Sequence, residues 1–189
     1  MSLKGIINYS HYLIENCVSD GETVVDATCG NGHDTLFLSE LVGDDGRVYA
    51  IDIQKQAIER TKERLAEHGR SNVHLIHDSH ANLYRYLDTE PKEIIGAAIF
   101  NLGYLPKSDK TIITKADSTI EAIKKLLAHL KKRGIIVLVV YHGHDGGEKE
   151  KEAILKYVVR LNQRKYNVLK YGFINQKNNP PFIIAIEKK

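Results

Sequence analysis

The sequence predicts an α/β protein built on a doubly wound, mostly parallel sheet of seven strands. Short β-branched runs alternate with amphipathic stretches along the chain, and most of the runs are apolar throughout. Such strands are buried on both faces, so right-handed helical crossovers cover both sides of the sheet. The predicted strands are 23–28, 47–52, 73–77, 94–100, 134–141, 168–174 and 182–186.

The last two predicted strands pair differently from the first five. Only residues 175–181 connect them, whereas a parallel crossover needs roughly a dozen residues or more. We therefore expect five parallel strands followed by an antiparallel C-terminal hairpin.

Three stretches carry the clearest helical periodicity, with apolar residues at three- and four-residue steps in 54–68, 120–130 and 154–161. Acidic residues begin the last of these helices at Glu148, and basic residues end it at Lys165. This order of charges complements the helix dipole, so the helix is expected to extend over that whole range.

Composition indicates a globular protein of one domain spanning residues 1–189. The chain is 42% hydrophobic and 27% charged, and it contains no repeat and no Pro/Ser-rich linker. No apolar run approaches the roughly 20 residues that span a bilayer, and the N-terminus lacks the features of an export signal. We expect no membrane association.

Two cysteines, Cys17 and Cys29, are too few for a disulfide framework or a cysteine-rich zinc site. A reducing cytoplasm is the expected location. The net charge of +3 permits a polyanionic partner without demanding one.

In doubly wound sheets ligands bind at the carboxyl ends of the strands, where strand order reverses. The first predicted strand ends in a glycine-rich turn that leads into a helix, which provides close backbone approach and free N–H groups. We expect Asp34 or Thr35 to cap that helix. The candidate cofactor-binding residues of this segment are Asp26, Thr28, Gly30, Asn31, Gly32, Asp34 and Thr35.

The next three strands also end in polar residues. Asp52 lies about 20 residues beyond Gly32, where a carboxylate can accept hydrogen bonds from both hydroxyls of a ribose. Each such acid is, taken alone, more often a helix cap. Together, however, the polar strand ends predict a nucleoside-type cofactor. The further candidates are Gln54 beside the ribose, Asp78, Ser79 and His80 at the adenine edge, and Asn101 and Gly103 near the reacting end.

The turn favours one cofactor class over another. A dinucleotide fold seats its pyrophosphate on G-x-G-x-x-G, but here Thr35 occupies the third position and Asp26 projects a carboxylate toward the same turn. A buried acid repels pyrophosphate and suits a ligand with ammonium and sulfonium charge. These features predict S-adenosylmethionine (SAM).

Three segments carry a family resemblance that covers nearly the whole chain. The sequence resembles class I SAM-dependent methyltransferases, and more narrowly the small bacterial rRNA methylases of the YtqB type. The carriers are DATCGNGHDT at 26–35, NLGYLP at 101–106 and YHGHDGG at 141–147. The resemblance implies a Rossmann-like fold, a homodimer, and methylation of the aminomethyl group of the wobble uridine in tRNA.

Methyl transfer is an in-line displacement, so the protein mainly aligns the acceptor and keeps it uncharged. Asn101 and the carbonyls of Leu102 and Gly103 are the candidates for orienting an amine. Residues 101–106 depart from the Asn-Pro-Pro-Tyr motif of adenine-N6 enzymes. Two interpretations of Tyr104 are therefore equally open: it stacks on the target base, or it packs as an anchor of its loop. Ring-carbon methylation needs a cysteine nucleophile, and the placement of Cys29 in the turn disfavours it.

Two histidines follow the fifth predicted strand at the same edge. His142 and His144 are candidates for shuttling a proton or contacting tRNA phosphate. We expect no metal here, because a catalytic site usually has three protein ligands and no thiolate accompanies the pair. His11, on an N-terminal helix, is read either as a cap on the pocket or, more commonly, as a structural histidine.

Other substrates and another class of protein remain open at this stage. They are rRNA, a small molecule in a closed pocket, and a dinucleotide-binding oxidoreductase or non-catalytic nucleotide-binding module. Basic residues such as Lys124, Lys125 and Arg164 are mostly solvated surface, and a few are candidates for neutralising phosphates.

Overall fold

The computed structural model describes residues 3–87, 93–103 and 113–189. Seven strands form one sheet. They are β1 (Thr23–Asp26), β2 (Arg47–Asp52), β3 (Val73–His77), β4 (Ile95–Leu102), β5 (Leu130–Val140), β6 (Tyr166–Tyr171) and β7 (Phe182–Lys188).

The helices of the described residues alternate with the first five strands. They are α1 (Ile6–Glu15), α2 (His33–Leu41), α3 (Lys55–Glu67), the short α4 (Tyr84–Leu87), α5 (Ala116–His129) and α6 (Gly147–Val158), and a 3₁₀ turn covers His80–Asn82. Helix α3 begins one residue after the expected start and ends one residue before the expected end, with Gln54 and His68 as its caps.

The predicted fold class is confirmed by the strand order β3-β2-β1-β4-β5-β7-β6. Strands β1 to β5 are parallel, and β7 pairs antiparallel with both β5 and β6. The order reverses between the neighbours β1 and β4, so a crevice opens at their carboxyl ends.

Each face of the sheet has its own hydrophobic core, because successive strand residues point to opposite sides. Val24 packs with α1, α2 and α3, whereas Val25 packs with α4, α5 and α6. Both layers bury nearly all of β4 and the greater part of β5, which makes the central strands a rigid support for the loops at their ends.

The largest differences from the predicted boundaries are in α6, β6 and β5, whereas the other predicted strands agree with the structure to within two residues at each end. Helix α6 ends at Val158 and not at Lys165, because Asn162 closes a turn through its main-chain and side-chain oxygens. Strand β6 consequently begins and ends earlier than expected. Strand β5 begins at Leu130, since that residue already pairs with Ile95 before an irregularity in the ladder.

Among the described residues, no helix has the length and apolar character that a membrane span requires.

Candidate functional site

A cavity of about 1130 Å³ lies at the carboxyl ends of the parallel strands. It is larger than the roughly 300–1,000 Å³ typical of a site for one small ligand, so it has room for a cofactor and part of a second reactant. Its walls are formed by segments 27–31, 52–54, 79–80, 101–103, 113–115 and 141–144. Residues from α1, α2 and the start of α5, and Asn179, complete them.

The turn after β1 depends on glycine at two positions. Gly30 and Gly32 have φ values of 53° and 78°, in the left-handed region. A Cβ atom on Gly32 would lie 2.9 Å from the Cα atom of Thr61, so glycine also permits the close packing of the turn on α3. These two requirements explain the glycine pattern seen in the sequence.

Helix α3 holds the same turn through one of its faces. The Arg60 guanidinium donates to Asn31 Oδ1 at 3.1 Å, and Arg64 Nε donates to the Asn31 carbonyl at 2.8 Å. The Thr61 hydroxyl donates to the Gly30 carbonyl at 3.3 Å. The turn is therefore preorganised by protein contacts.

The expected side-chain cap on α2 is wrong. Gly32 is the N-cap residue and makes no side-chain hydrogen bond, while Asp34 and Thr35 lie inside the first turn of the helix. The left-handed backbone of Gly32 starts the helix and frees both side chains to point elsewhere.

Asp26 lies beneath the turn and does not line the cavity. It accepts hydrogen bonds from the Thr35 hydroxyl at 2.6 Å and from the Thr28 N–H at 3.2 Å. Desolvation, followed by the nearby Asp34 carboxylate, raises the pKa of Asp26 to about 7. The expectation that Asp26 faces the ligand directly is therefore corrected, because both of its oxygens brace the turn and the carboxylate is fully buried.

Asp34 is the carboxylate that enters the cavity from this segment. One of its oxygens lies 2.6 Å from His11 Nε2, and the other accepts from Asn101 Nδ2 at 2.6 Å. His11 stacks on Phe37 at 3.8 Å and does not itself line the cavity, which favours the structural reading of this histidine.

Asp52 lines the cavity at the end of β2, as its sequence position predicts. Its two oxygens accept one backbone N–H each, from Gly30 at 3.0 Å and from Gln54 at 2.9 Å. Desolvation raises the pKa of Asp52, and these N–H groups oppose that shift. The side chain is thus held in one orientation between the first two strand ends, with Gln54 beside it in the cavity wall.

Asp78 does not line the cavity, although Ser79 and His80 do. Its carboxylate accepts from the Asn82 amide, the Ser79 N–H and the Tyr86 hydroxyl, and these bonds lower its pKa. These bonds favour a local cap over the predicted cofactor contact for Asp78, because its own loop engages both oxygens.

His80 forms part of the apolar wall near the start of α5. Its Nε2 lies 3.2 Å from Ser118 Oγ, and its ring meets Phe100 edge to face at 5.7 Å. Desolvation lowers the pKa of His80 to about 4, so the ring is neutral at physiological pH. A neutral ring suits contact with an uncharged base.

Asn101 stands at the end of β4, between β1 and the cavity. Its N–H donates to Thr28 Oγ1 at 2.7 Å, and its side-chain nitrogen is committed to Asp34. Gly103 follows and also lines the cavity, joined to Thr114. Tyr104, the predicted stacking or anchoring residue, lies outside the described residues.

His142 and His144 both line the cavity. The Nε2 atom of His142 lies 3.2 Å from the Pro180 carbonyl, and its Nδ1 lies 3.3 Å from a Glu148 oxygen. Both nitrogens of His142 thus face protein acceptors, which favours a structural role. Within the described ranges, no three His, Cys, Asp or Glu residues are grouped as metal ligands.

Several wall residues were not singled out from the sequence. Tyr141 directly follows β5, so the rule that located the other strand ends applies to it as well. Lys115, Ser118 and Asn179 reach the cavity from later segments, and no local pattern marks them. The cavity combines a glycine-rich turn, two carboxylates and a neutral wall at His80. This combination fits a cationic nucleoside better than a diphosphate.

Comparison with known families gives two matches. The family model described as "Putative rRNA methylase" matches residues 48–187. The model for protein-L-isoaspartate (D-aspartate) O-methyltransferase matches residues 6–86, which include the glycine-rich turn.

The similarity to several known proteins covers nearly the whole chain. A curated relative, the chloroplastic tRNA (mnm(5)s(2)U34)-methyltransferase of Arabidopsis thaliana, is 35% identical over 98% of this chain and 70% of its own length. A "putative rRNA-methylase" from Clostridium thermocellum has 43% identity and a TM-score of 0.96, covering 100% of both chains. A "putative methyltransferase" from Streptococcus mutans, solved in complex with SAH, has 41% identity and a TM-score of 0.90, covering 99% of both.

Proposed function

Because this chain belongs to the rRNA methylase family of class I SAM-dependent methyltransferases, we propose that it N-methylates the aminomethyl group of the wobble uridine in tRNA. The observation that carries the substrate is the 35% identity, over 98% of the chain, to a plant enzyme named for mnm(5)s(2)U34 in tRNA. The rRNA in the family description makes rRNA the alternative substrate.

The proposed cofactor site follows the strand ends in order. The turn at Gly30 and Asn31 approaches the methionine part of SAM, Asp52 accepts from the ribose hydroxyls with Gln54 beside it, and Ser79 and His80 flank the adenine. When bound, SAM supplies a methyl group already activated by its sulfonium charge. Asp26, Thr35 and Gly32 serve this site indirectly, because they shape the turn from behind.

The proposed acceptor site is at Asn101 and Asp34. Because Asn101 Nδ2 donates to Asp34, the Oδ1 atom on the other branch of the amide is oriented to accept an N–H from the substrate amine. A carboxylate beside it attracts an aminomethyl group, which is cationic in water. Attack on the methyl group requires the neutral amine, so the ammonium group must lose a proton before transfer, and the methylated ammonium product can lose a second proton afterwards.

The remaining predicted roles are retained as proposals. A few of the basic residues such as Lys124, Lys125 and Arg164 would contact tRNA phosphates, and Tyr104 would stack on the base or anchor its segment. We add Lys115 to the phosphate contacts, because it lines the cavity. His142 and His144 are both proposed for proton transfer or for contact with tRNA phosphate, since both line the cavity. A homodimer in the cytoplasm would supply the additional RNA surface.

The decisive experiment is nucleoside mass spectrometry of tRNA carrying aminomethyl-uridine, incubated with purified protein and SAM. We expect conversion to methylaminomethyl-uridine, with rRNA from the same cells unchanged. Asn101→Ala should lose conversion while keeping affinity for SAH, and NAD should not bind. Methylation of rRNA alone, or of neither RNA, would contradict the proposed substrate.

A further inference from the structure

The buried carboxylate of Glu150 is not used by any role described above. It lies in the first turn of α6 and is only 4% exposed. It accepts hydrogen bonds from two hydroxyls, that of Thr114 at 2.7 Å and that of Thr119 at 3.2 Å. Burial raises the pKa of this carboxyl, and the two threonine hydroxyls oppose that shift.

The Thr114 hydroxyl links this carboxylate to the end of β4. It donates to Glu150 and accepts from the Gly103 N–H at 2.9 Å, and the Thr114 N–H donates back to the Gly103 carbonyl at 3.0 Å. Both Gly103 and Thr114 line the cavity, and Gly103 is two residues from Asn101. The chain of contacts therefore runs from α6 to the proposed acceptor site.

Little space is available around this end of β4. A Cβ atom on Gly103 would lie 3.3 Å from the Tyr141 Cβ atom and 3.6 Å from His144 Cε1, and its φ of 150° is uncommon for other residues. A side chain at this position would therefore be crowded by Tyr141 and strained by the backbone, which explains the glycine.

The location of Glu150 argues for a specific use. Among the described residues no cation is paired with Glu150. Burying a carboxylate is unfavourable compared with an apolar side chain of similar size, and the N-terminus of α6 offsets only part of that cost. A carboxylate can, however, accept from two hydroxyls at once, one per oxygen. That property is what joins the start of α5 and Thr114 to α6.

We propose that Glu150 is a positioning residue of the methyl-transfer reaction: through the Thr114 hydroxyl it fixes Gly103 and the end of β4, so that Asn101 presents its amide to the acceptor amine. This inference rests on the proposed acceptor site. Glu150 does not touch the substrate, and its contribution is the alignment of groups that do.

The test compares three threonine variants. Thr114→Val removes the hydroxyl that links Gly103 to Glu150 and retains the shape of the side chain. Thr114→Ser keeps the hydroxyl. Thr119→Val, the matched control, removes the other hydroxyl from the same carboxylate but leaves Gly103 untouched.

We expect Thr114→Val and Glu150→Ala to lower kcat for tRNA by about 10- to 100-fold, since small misalignments of reacting groups have effects of that size. Their affinity for SAH should stay within about threefold of the wild type, and Thr114→Ser and Thr119→Val should keep most of the activity. The double variant of Glu150 and Thr114 should be no slower than the slower single variant, because the two residues act through one contact.

A second readout does not depend on the substrate. Amide hydrogen exchange of the peptide containing residues 101–103 should accelerate in Thr114→Val and Glu150→Ala but not in Thr119→Val. If the wild type methylates no tRNA, the proposed substrate is wrong, and hydrogen exchange still reports whether Glu150 holds β4. Unchanged exchange, or equal loss of kcat in Thr119→Val and Thr114→Val, overturns the positioning role.

Discussion

Replacing the aspartates at the carboxyl ends of β2 and β3 distinguishes two residues that look equivalent in the sequence. Asp52 is the last residue of β2 and Asp78 directly follows β3 at the same edge, but only Asp52 lines the cavity. Asp52→Asn and Asp78→Asn remove the same charge with the same change of shape. They therefore differ only in where the carboxylate lies.

The expected magnitude follows from the contacts of Asp52. Each of its oxygens already accepts one backbone N–H, at 3.0 and 2.9 Å, which leaves one lone pair on each for a ribose hydroxyl. Asparagine replaces one acceptor oxygen by a donor, so at least one charge-assisted bond, worth about 1.5–3 kcal/mol, is lost. At 1.4 kcal/mol per factor of ten, Kd for SAH should rise by about 10- to 100-fold.

Asp78→Asn should leave that Kd within about threefold of the wild type, because its oxygens serve Ser79, Asn82 and Tyr86. Its effect should be a Tm lowered by a few degrees, as expected for loss of about 1 kcal/mol from a local cap. Isothermal titration calorimetry with SAH measures both variants. Equal weakening by the two substitutions, or no weakening by Asp52→Asn, would refute the assignment of the ribose to Asp52.

Three further predictions concern the turn and its surroundings. Gly32→Ala should lower the free energy of unfolding by about 2–4 kcal/mol in urea titration, because its φ is positive and its Cβ would lie 2.9 Å from the Thr61 Cα atom. Gly69→Ala is the control: its φ is also positive but the space around it is open, so it should lower the free energy of unfolding by less. The pKa of Asp26 is about 7 in the folded protein, above its unfolded value of about 3.9, so its contribution to stability is greatest when it is protonated and declines as the pH rises from about 4 to 7. Asp26→Asn should flatten that part of the plot of unfolding free energy against pH, and identical plots for the variant and the wild type would contradict the raised pKa. Burial raises the pKa of the Cys29 thiol, so iodoacetamide should not inactivate the folded enzyme. Rapid inactivation would instead support a cysteine-dependent reaction on a ring carbon.

The fold and the strand-end residues of the site can be predicted from local sequence patterns. Strands buried on both faces read as apolar runs, and the short connection 175–181 requires an antiparallel pair. Parallel strands bring their carboxyl ends to one edge, which is sufficient to place Asp52, Asn101 and His142 around a common cavity. A periodic pattern does not mark where α6 ends, because the turn at Asn162 stops the helix while apolar spacing continues.

The roles of the acids show the limit of that reasoning. Asp26 and Asp34 are eight positions apart in one motif, and the sequence favoured Asp26 as the charge facing the ligand. The backbone of the turn reverses this assignment, because Thr35 and Thr28 bind Asp26 underneath while Asp34 projects into the cavity. The direction of a side chain depends on φ and ψ at Gly30 and Gly32, which residue type alone does not specify.

The sequence alone determined the class of sheet, the edge that binds the ligand and the cationic nucleoside that suits its acidic residues, because these depend on periodicity and on charge close to each strand end. Only the tertiary structure decided which carboxylates reach the cavity and that Glu150, 36 residues from Thr114, supports the end of β4. Contacts of that kind join a helix to the end of a strand, and they exist only once the helices have packed against the sheet.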